Sequence, residues 1–297
     1  MAYTFAPRPI TKIVETGMMR YTSNTIANVH AVRGQFVIVT GTSGVGKTTT
    51  AERISQSIND AFAKNPTNPD AYRARYYIAT DHRTMKGKES PQLVQRRLLA
   101  EFAGQVLQLA VPADIRNINI SKWMDAIVLG LRQQQVQIVF IDEAGYLPSN
   151  ALDCLATLAN KSTSRAFQHP LTIVLVGMHN LPANIQAQDN LCRRVADWVT
   201  FEPCNADEVK LVLTPLDPFF AALDLKSDDG RDVIEFLRSP EVSRGGLLGL
   251  IVPLAERAVA HARMRKVSMS LLQLRAAHTT KLSGQTQSAA AMQRGWK

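Results

Sequence analysis

The feature that most constrains the fold is a glycine-rich octapeptide between an apolar run and an amphipathic stretch. It has the sequence GTSGVGKT and spans residues 41–48. The run before it, QFVIVTG (35–41), is rich in β-branched residues and predicts a buried strand. The stretch after it has helical spacing, with Ala51, Ile54 and Ile58 on one side. A strand, a glycine loop and a helix in this order predict a turn whose backbone N–H groups face inward at a helix N-terminus.

The octapeptide matches the pattern GxxxxGK[ST], in which each residue type has a chemical task. The glycines allow backbone N–H groups to surround phosphate oxygens. Lys47 reaches the β- and γ-phosphates, and the Thr48 hydroxyl ligates Mg²⁺. The sequence therefore predicts a site for a nucleoside triphosphate with Mg²⁺, formed by Gly41, Thr42, Ser43, Gly44, Val45, Gly46, Lys47, Thr48 and Thr49.

Two adjacent acids end the apolar run IVFIDEA (138–144). A phosphate loop needs a carboxylate at the end of a neighbouring buried strand, which holds Mg²⁺ through water against Thr48. We assign this role to Asp142, and we assign polarisation of the attacking water to Glu143. Because strand side chains alternate, the two acids are expected to point in different directions. A strand followed by an acidic helix cap is the alternative for this pair.

Strand and helix patterns alternate up to residue 203. Further strands are predicted at 74–80, 171–177 and 197–203, and helices at 22–33, 90–110 and 120–135. This alternation predicts an α/β fold with a parallel sheet covered by helices on both faces. After Pro203 only helical patterns follow. We therefore predict an arm and linker helix at 1–33, an α/β core with the nucleotide site at 34–203, a helical subdomain at 204–282 and a flexible tail at 283–297.

Two further pairs of residues are candidates for the site. The run IVLVGMHN ends in His179 and Asn180, and either side chain can lie near the γ-phosphate if this strand is inserted between the loop strand and the acidic strand. Arg193 and Arg194 precede the last strand, and either can reach the nucleotide of a neighbouring subunit as an arginine finger. An ordinary loop histidine and a solvated basic pair are the alternatives.

Charge favours a polyanionic partner. The net charge is +9 and the isoelectric point is about 9.6. Arg83, Lys86 and Lys88 lie near the tip of the second strand, followed by Arg96 and Arg97 on the next helix. These side chains can neutralise DNA phosphates without recognising base sequence. A solvated basic face is the alternative.

Composition excludes several other classes of protein. Cys154, Cys192 and Cys204 form no CxxC pair and the six histidines are dispersed, so neither a zinc site nor a disulfide framework is expected. The longest apolar run in the C-terminal half, 245–254, is too short to span a bilayer. The N-terminus has no apolar run of signal-peptide type. A cytoplasmic protein without a membrane partner is expected.

Four segments, taken in order, resemble the AAA+ ATPases: GTSGVGKTTTAERI, IVFIDEAGYLPSNALDCLATL, LTIVLVGMHNL and LCRRVADWVTFEP. The pairing of DEA-x-x-L with VLVG-x-x-x-L is most similar to the transposition-regulator branch, which includes TnsC, TniB and MuB. The resemblance covers about residues 34–203, with weaker similarity through 282. It implies a three-layer P-loop sandwich with a five-stranded parallel sheet in the order 5-1-4-3-2 and a small C-terminal helical lid.

The resemblance also implies a function. Proteins of this branch bind ATP, assemble as rings or helical filaments on double-stranded DNA, and recruit or stimulate a transposase at a target site. Hydrolysis of ATP disassembles the oligomer. By its spacing to Phe201, Arg194 matches the arginine finger of the family better than Arg193 does. Whether a separate target-selector protein recruits the assembly is left open.

Two departures from the family pattern bear on the rate of hydrolysis. Met178 stands where relatives usually have a polar sensor residue, which leaves His179 as the substitute. In the lid, Leu250 stands where a second sensor arginine is usual, and Arg244 is out of register. Slow, partner-stimulated hydrolysis is therefore expected, which suits a switch better than a motor.

Two other functions compete with this one. A secretion-accessory AAA+ ATPase shares the loop and the acidic strand, but such proteins usually carry further binding domains, for which this chain is expected to have no room. A small-molecule kinase needs an acceptor pocket and an arginine-rich lid, and the helical segments after residue 204 do not resemble one.

Overall fold

The computed structural model describes residues 14–32, 35–68, 70–79 and 90–280 of the chain. These residues divide into two compact units. The α/β unit comprises Met18–Thr42 and Lys47–Phe201, and the helical unit comprises the described residues of Met1–Gly17, Ser43–Gly46 and Glu202–Lys297. The domain limits predicted from the sequence stay predictions.

Five parallel strands form the sheet of the α/β unit. They are β1 (Phe36–Gly41), β2 (Arg73–Ile78), β3 (Val136–Asp142), β4 (Thr172–Val176) and β5 (Val195–Phe201). The strand order is β2-β3-β4-β1-β5, and each neighbouring pair is parallel. This is the order 5-1-4-3-2 taken from the other edge, so the predicted fold class is confirmed.

Helices flank this sheet. They are α1 (Gly17–Val32), α2 (Lys47–Lys64), α3 (Pro91–Leu107), α4 (Ile120–Gln133), α5 (Ser149–Thr163), α6 (Asn180–Gln186) and α7 (Asp189–Cys192). Every residue of β1 and β4 is buried, which explains why these strands carry almost no polar side chains. Phe102 of α3, Ile127 of α4 and Leu155 of α5 belong to the core against one face of the sheet.

The last turn of α1 lies at the end of the sheet where the strands begin. His30 places Nδ1 3.1 Å from Thr172 Oγ1 and Nε2 3.0 Å from Gln137 Oε1. Thr172 and Gln137 stand in the first two residues of β4 and β3. The glycine loop leaves β1 at the opposite end of the sheet, where the strands finish.

Several predicted element limits are wrong, among them the start of the first helix by five residues and the end of the last strand by two. The helix predicted over 22–33 begins at Gly17, because the Thr22 hydroxyl donates to the Met18 carbonyl at 2.7 Å inside the helix instead of capping its start. The last strand ends at Phe201 and not at 203, since Pro203 has no N–H to donate to a ladder.

The helical unit has a core of its own. Its helices are α8 (Ala206–Leu213), α9 (Pro218–Ala222), α10 (Asp228–Arg238), α11 (Pro240–Ser243) and α12 (Leu248–Arg265), followed by a helical stretch at 271–280. Val209, Phe220 and Leu254 are buried together in it. Among the described residues of both units, no helix is long and apolar enough to cross a membrane.

A buried histidine makes the stability of the α/β unit depend on pH. His169 is 6% exposed, and its Nε2 donates to the Val136 carbonyl at 2.7 Å. Burial lowers the pKa of His169 below its usual 6.5, although the hydrogen bond to Val136 opposes this shift. The His169 imidazole therefore takes up a proton more readily in the unfolded chain than in the folded protein.

We predict that the free energy of unfolding falls as the pH drops below about 6.5, because protonation of His169 favours the unfolded chain. The measurement is urea unfolding between pH 8 and pH 5, for the wild type and for His169→Gln. The His169→Gln protein is expected to lose part of this pH dependence. An identical pH dependence in the two proteins would show that His169 does not contribute.

Candidate active site

The loop between β1 and α2 has the backbone of a phosphate cradle. Gly44 has φ 86° and Gly46 has φ 100°, a region that side-chain-bearing residues rarely adopt. The loop ends where α2 begins at Lys47, so its backbone meets the N-terminus of an 18-residue helix. The positive end of that helix favours an anion. These backbone angles are the ones that a phosphate-binding turn requires, and the contacts of residues 41–49 with a nucleotide stay predictions.

Lys47 is held inside this loop. It is 8% exposed, and its Nζ donates to the carbonyls of Gly41 at 2.8 Å and Thr42 at 2.7 Å. These bonds use two of the three N–H donors of the ammonium group, so the third can point to a phosphate oxygen. Burial lowers the pKa of Lys47, and the carboxylates of Asp142 and Glu143 oppose this shift.

Asp142, the last residue of β3, accepts hydrogen bonds at both carboxylate oxygens. Its Oδ2 accepts from the Thr48 hydroxyl at 2.7 Å and from the Tyr76 hydroxyl at 2.5 Å. Its Oδ1 accepts from the backbone N–H of Glu143 at 2.7 Å. The carboxylate is 4% exposed and directly beside Thr48. Carboxylate and hydroxyl oxygens are suitable ligands for Mg²⁺, so Thr48 and Asp142 fit that ion.

Glu143 leaves the strand in a different direction from Asp142. Its backbone is left-handed, with φ 55° and ψ 29°, and its carbonyl accepts from the Tyr146 N–H at 2.9 Å. Glu143 lines a pocket of about 310 Å³ together with Gly145, Tyr146, Met178, His179 and Asn180. The expected divergence of the two acids is therefore present, but it comes from the turn after β3 and not from strand alternation alone.

The two candidate sensor residues lie at the same pocket. The Asn180 side chain donates to the Gly145 carbonyl at 3.3 Å, which connects the start of α6 to the turn after Glu143. His179 precedes α6 and lines the pocket with Glu143. Met178 is 42% exposed at the end of β4. Their roles in sensing the γ-phosphate stay predictions.

Arg193 and Arg194 lie at the end of the sheet where the strands begin, whereas the glycine loop follows β1 at the opposite end. The Arg194 carbonyl accepts from the Phe36 N–H at 2.9 Å, at the start of β1 and β5. The loop leaves at the other end, where Gly41 pairs with Phe201. Seven strand residues separate the two ends, which corresponds to about 20 Å. At this distance, neither arginine side chain can reach a phosphate bound at the loop of its own chain. Arg193 is exposed and Arg194 is half-buried.

The predicted basic group can be located only in part, because Arg83, Lys86 and Lys88 lie outside the described residues. Arg96 donates through Nε to the Ile118 carbonyl at 3.0 Å, a contact within the α/β unit. Across the described part of the chain, no three His, Cys, Asp or Glu side chains are grouped to hold a metal. Burial raises the pKa of Cys154 to about 12, which keeps this thiol protonated and unreactive.

The sequence analysis missed Tyr76, which contacts Asp142 from β2. The register pairs Ile78 with Asp142, so Tyr76 lies two residues earlier on the neighbouring strand, opposite Phe140. A long side chain at that position can extend towards the end of β3. The signal in the sequence is a polar aromatic residue near the end of a predicted strand, but it has a meaning only once the neighbour of β2 is known.

A glycine loop before a helix whose Thr48 donates to a buried acid, on a strand that is not adjacent to the loop strand, defines a P-loop nucleoside triphosphatase with an inserted strand. The comparison with protein families agrees with this class. Residues 30–185, more than half of the chain, match the AAA domain family, and the chain belongs to that family. It is accordingly a nucleotide-binding ATPase.

Solved structures share the fold at low sequence identity. The ORC2 protein of Aeropyrum pernix, in its ADPNP–ADP complexes, is 16% identical with a TM-score of 0.64, over 91% of this chain and 70% of that one. Cdc6p of Pyrobaculum aerophilum is 16% identical with a TM-score of 0.59, over 89% and 66%. The ORC1 protein of Aeropyrum pernix, in complex with DNA, is 15% identical with a TM-score of 0.56, over 89% and 64%. Among curated proteins no sequence matches.

We predict that Glu143→Gln keeps nucleotide binding and loses hydrolysis. The amide preserves size and hydrogen bonding but cannot take a proton from the attacking water, so kcat should fall about 100-fold or more. Phosphate release measures hydrolysis, and titration with a fluorescent ATP analogue measures binding. Glu256→Gln, an exposed position on α12, is the control. Normal hydrolysis by Glu143→Gln would show that another group is the base.

Proposed function

We propose that this AAA-family ATPase is a DNA-binding regulator of transposition. ATP-bound subunits assemble as a ring or filament on double-stranded DNA, mark the target site, and recruit or activate a transposase. Hydrolysis of ATP then drives disassembly. The proposal rests on the position of Arg193 and Arg194 at the end of the sheet where the strands begin, away from the glycine loop. A site completed by either arginine therefore requires a second subunit.

The site chemistry follows from the side chains at the loop. Lys47 binds the β- and γ-phosphates, while Thr48 and Asp142 hold Mg²⁺, with Asp142 acting through water. Mg²⁺, when bound, neutralises charge on the transferred phosphoryl group. Glu143 orients and deprotonates the attacking water in the pocket that it shares with His179. His179 reports on the γ-phosphate from the end of β4.

Double-stranded DNA is the partner that the charge of the chain favours. The net charge is +9. The segment that carries Arg83, Lys86 and Lys88 follows β2, which ends beside Asp142. The fold is shared with the ORC1 protein solved in complex with DNA, which supports DNA as a partner. We propose that the protein acts in the cytoplasm.

Slow hydrolysis is part of this proposal. The first turn of α12, at Leu248–Ile251, has no basic side chain, and within the helical unit the Gly249 N–H donates to the Gly44 carbonyl at 2.8 Å. This turn therefore lacks the arginine that the lids of the resembling family usually carry. We infer that stimulation comes from a partner such as the transposase, so that the lifetime of the assembly is regulated.

The proposal is tested by co-sedimentation with double-stranded DNA and by negative-stain microscopy, in ATP, ADP and a slowly hydrolysed ATP analogue. ATP and the analogue should give rings or filaments on DNA, and ADP should not. The variant Arg83→Ala/Lys86→Ala/Lys88→Ala should lower the salt dependence of binding, with a change in slope of up to about 3. The control removes three exposed cations elsewhere: Lys64, Lys122 and Arg132.

The outcomes separate the proposed function from its alternative. Absence of DNA binding in every nucleotide state contradicts the proposal and favours a secretion-accessory ATPase. Equal salt dependence in the two triple variants keeps DNA binding but shows that residues 83–88 do not contact the phosphates.

The arginine finger is predicted to act between subunits. Arg194→Ala should lower kcat on DNA about 1000-fold, because the finger stabilises charge in the transition state. Arg193→Ala is the matched comparison, since the two arginines are neighbours. Mixing Arg194→Ala with Lys47→Ala should restore part of the activity, because the second protein supplies the arginine and the first supplies an intact loop. Failure of every mixing ratio to restore phosphate release would contradict a finger in trans.

A further inference from the structure

Tyr76 contacts the acid at the Mg²⁺ side of the site. Its hydroxyl donates to Asp142 Oδ2 at 2.5 Å, and the Thr48 hydroxyl donates to the same oxygen at 2.7 Å. This carboxylate oxygen thus accepts hydrogen bonds from two side chains, Thr48 at the end of the phosphate loop and Tyr76 on the neighbouring strand. Asp142 is 4% exposed, so protein donors replace the water that would otherwise solvate its charge.

The position of Tyr76 is determined by the sheet. β2 and β3 are paired in parallel, with Ile78 opposite Asp142, and beyond Ile78 the Ala79 N–H donates to the Asp142 carbonyl at 2.9 Å. The end of β2 is therefore bound to Asp142 through its backbone and through the Tyr76 side chain. Because this end of β2 is held at two points, the Tyr76 hydroxyl has little freedom to change the direction from which it donates.

The neighbouring residue makes a similar bond on the other face of the sheet. The Tyr77 hydroxyl donates to Glu101 Oε2 of α3 at 2.8 Å. Tyr77 is buried in the core between the sheet and α3, away from the loop. Because strand side chains alternate, two adjacent tyrosines thus donate to two different carboxylates. Tyr77 is therefore a built-in comparison for the effect of losing one tyrosine–carboxylate bond.

The Tyr76 hydroxyl donates directly to a carboxylate oxygen. A hydrogen bond to a charged group is stronger than one between neutral groups.

We propose that Tyr76 is a positioning residue for the Mg²⁺ site: its hydroxyl orients the Asp142 carboxylate so that Oδ2 stays beside Thr48. This inference rests on the proposed binding of nucleotide with Mg²⁺ at that pair. Tyr76 acts through Asp142 and does not touch the nucleotide. Side chains that orient the groups around a metal typically change its affinity about 10-fold or more when they are removed.

The test is Tyr76→Phe, which keeps the ring and removes the hydroxyl. A fluorescent ATP analogue is titrated with Mg²⁺, and in a parallel series with EDTA in place of Mg²⁺. We expect the Mg²⁺ concentration for half-maximal enhancement of binding to rise about 10-fold, because Asp142 loses one of its orienting bonds. Binding in EDTA should stay at the wild-type value, since Lys47 and the loop backbone are unchanged.

The matched control is Tyr77→Phe, which removes a tyrosine–carboxylate bond from the same strand. It should leave the Mg²⁺ titration at the wild-type value, and both variants should unfold cooperatively in EDTA. The same Mg²⁺ midpoint in Tyr76→Phe and Tyr77→Phe would overturn the positioning role. So would loss of cooperative unfolding or of nucleotide binding in EDTA for Tyr76→Phe, since either result identifies a general structural role.

The proposed function is tested separately within the same experiment. A wild-type protein whose nucleotide binding does not depend on Mg²⁺ would contradict the assigned metal site, and with it this inference. A wild-type protein with normal Mg²⁺ dependence but without DNA binding would contradict only the role in transposition. The Mg²⁺ midpoints of the two phenylalanine variants would still decide the role of Tyr76.

Discussion

Burial of the parallel sheet on both faces is the constraint on which the rest of the α/β unit depends. Because β1 and β4 are buried along their whole length, polar side chains can meet a ligand only where the strands end. The glycine loop follows β1, Asp142 ends β3, and His179 follows β4. Parallel strands bring these three chain segments to one edge, although they are far apart in the sequence.

At that edge, the Asp142 carboxylate organises its neighbours. It accepts from Thr48 and Tyr76 at one oxygen and from the Glu143 N–H at the other. In a low-dielectric environment such bonds hold a charge in place more firmly than water does. The bond to the Glu143 N–H also supports the left-handed turn, so the same acid that faces Thr48 helps to direct Glu143 towards the pocket. Two adjacent acids thereby obtain different surroundings.

The parallel arrangement bears on the proposed arginine finger. It gathers the ends of the strands on one side of the sheet and their beginnings on the other, and Arg193 and Arg194 precede β5. If either arginine is the proposed finger, it reaches a nucleotide only between associated subunits. Hydrolysis would then depend on the state of the assembly, as the proposed control of its time on DNA requires.

Most residues of the candidate site could be predicted from local patterns. The loop at 41–48 and the acids Asp142 and Glu143 have signatures within short stretches, because strand, turn and helix N-terminus follow one another along the chain. The resemblance to AAA+ ATPases supplied the strand order, and the sheet confirms it. Element limits were less exact, as the early start of α1 at Gly17 shows, because a threonine can cap a helix or bond back inside it.

Only the tertiary structure decided which side chains meet. Tyr76 and Tyr77 are adjacent and identical, and no local pattern separates the residue that contacts Asp142 from the one that contacts Glu101. The difference arises from the pairing of β2 with β3 and from the face of the sheet that each tyrosine occupies. A local pattern specifies which residues alternate along a strand. Pairing between distant segments, which depends on burying the whole sheet, specifies what each of them contacts.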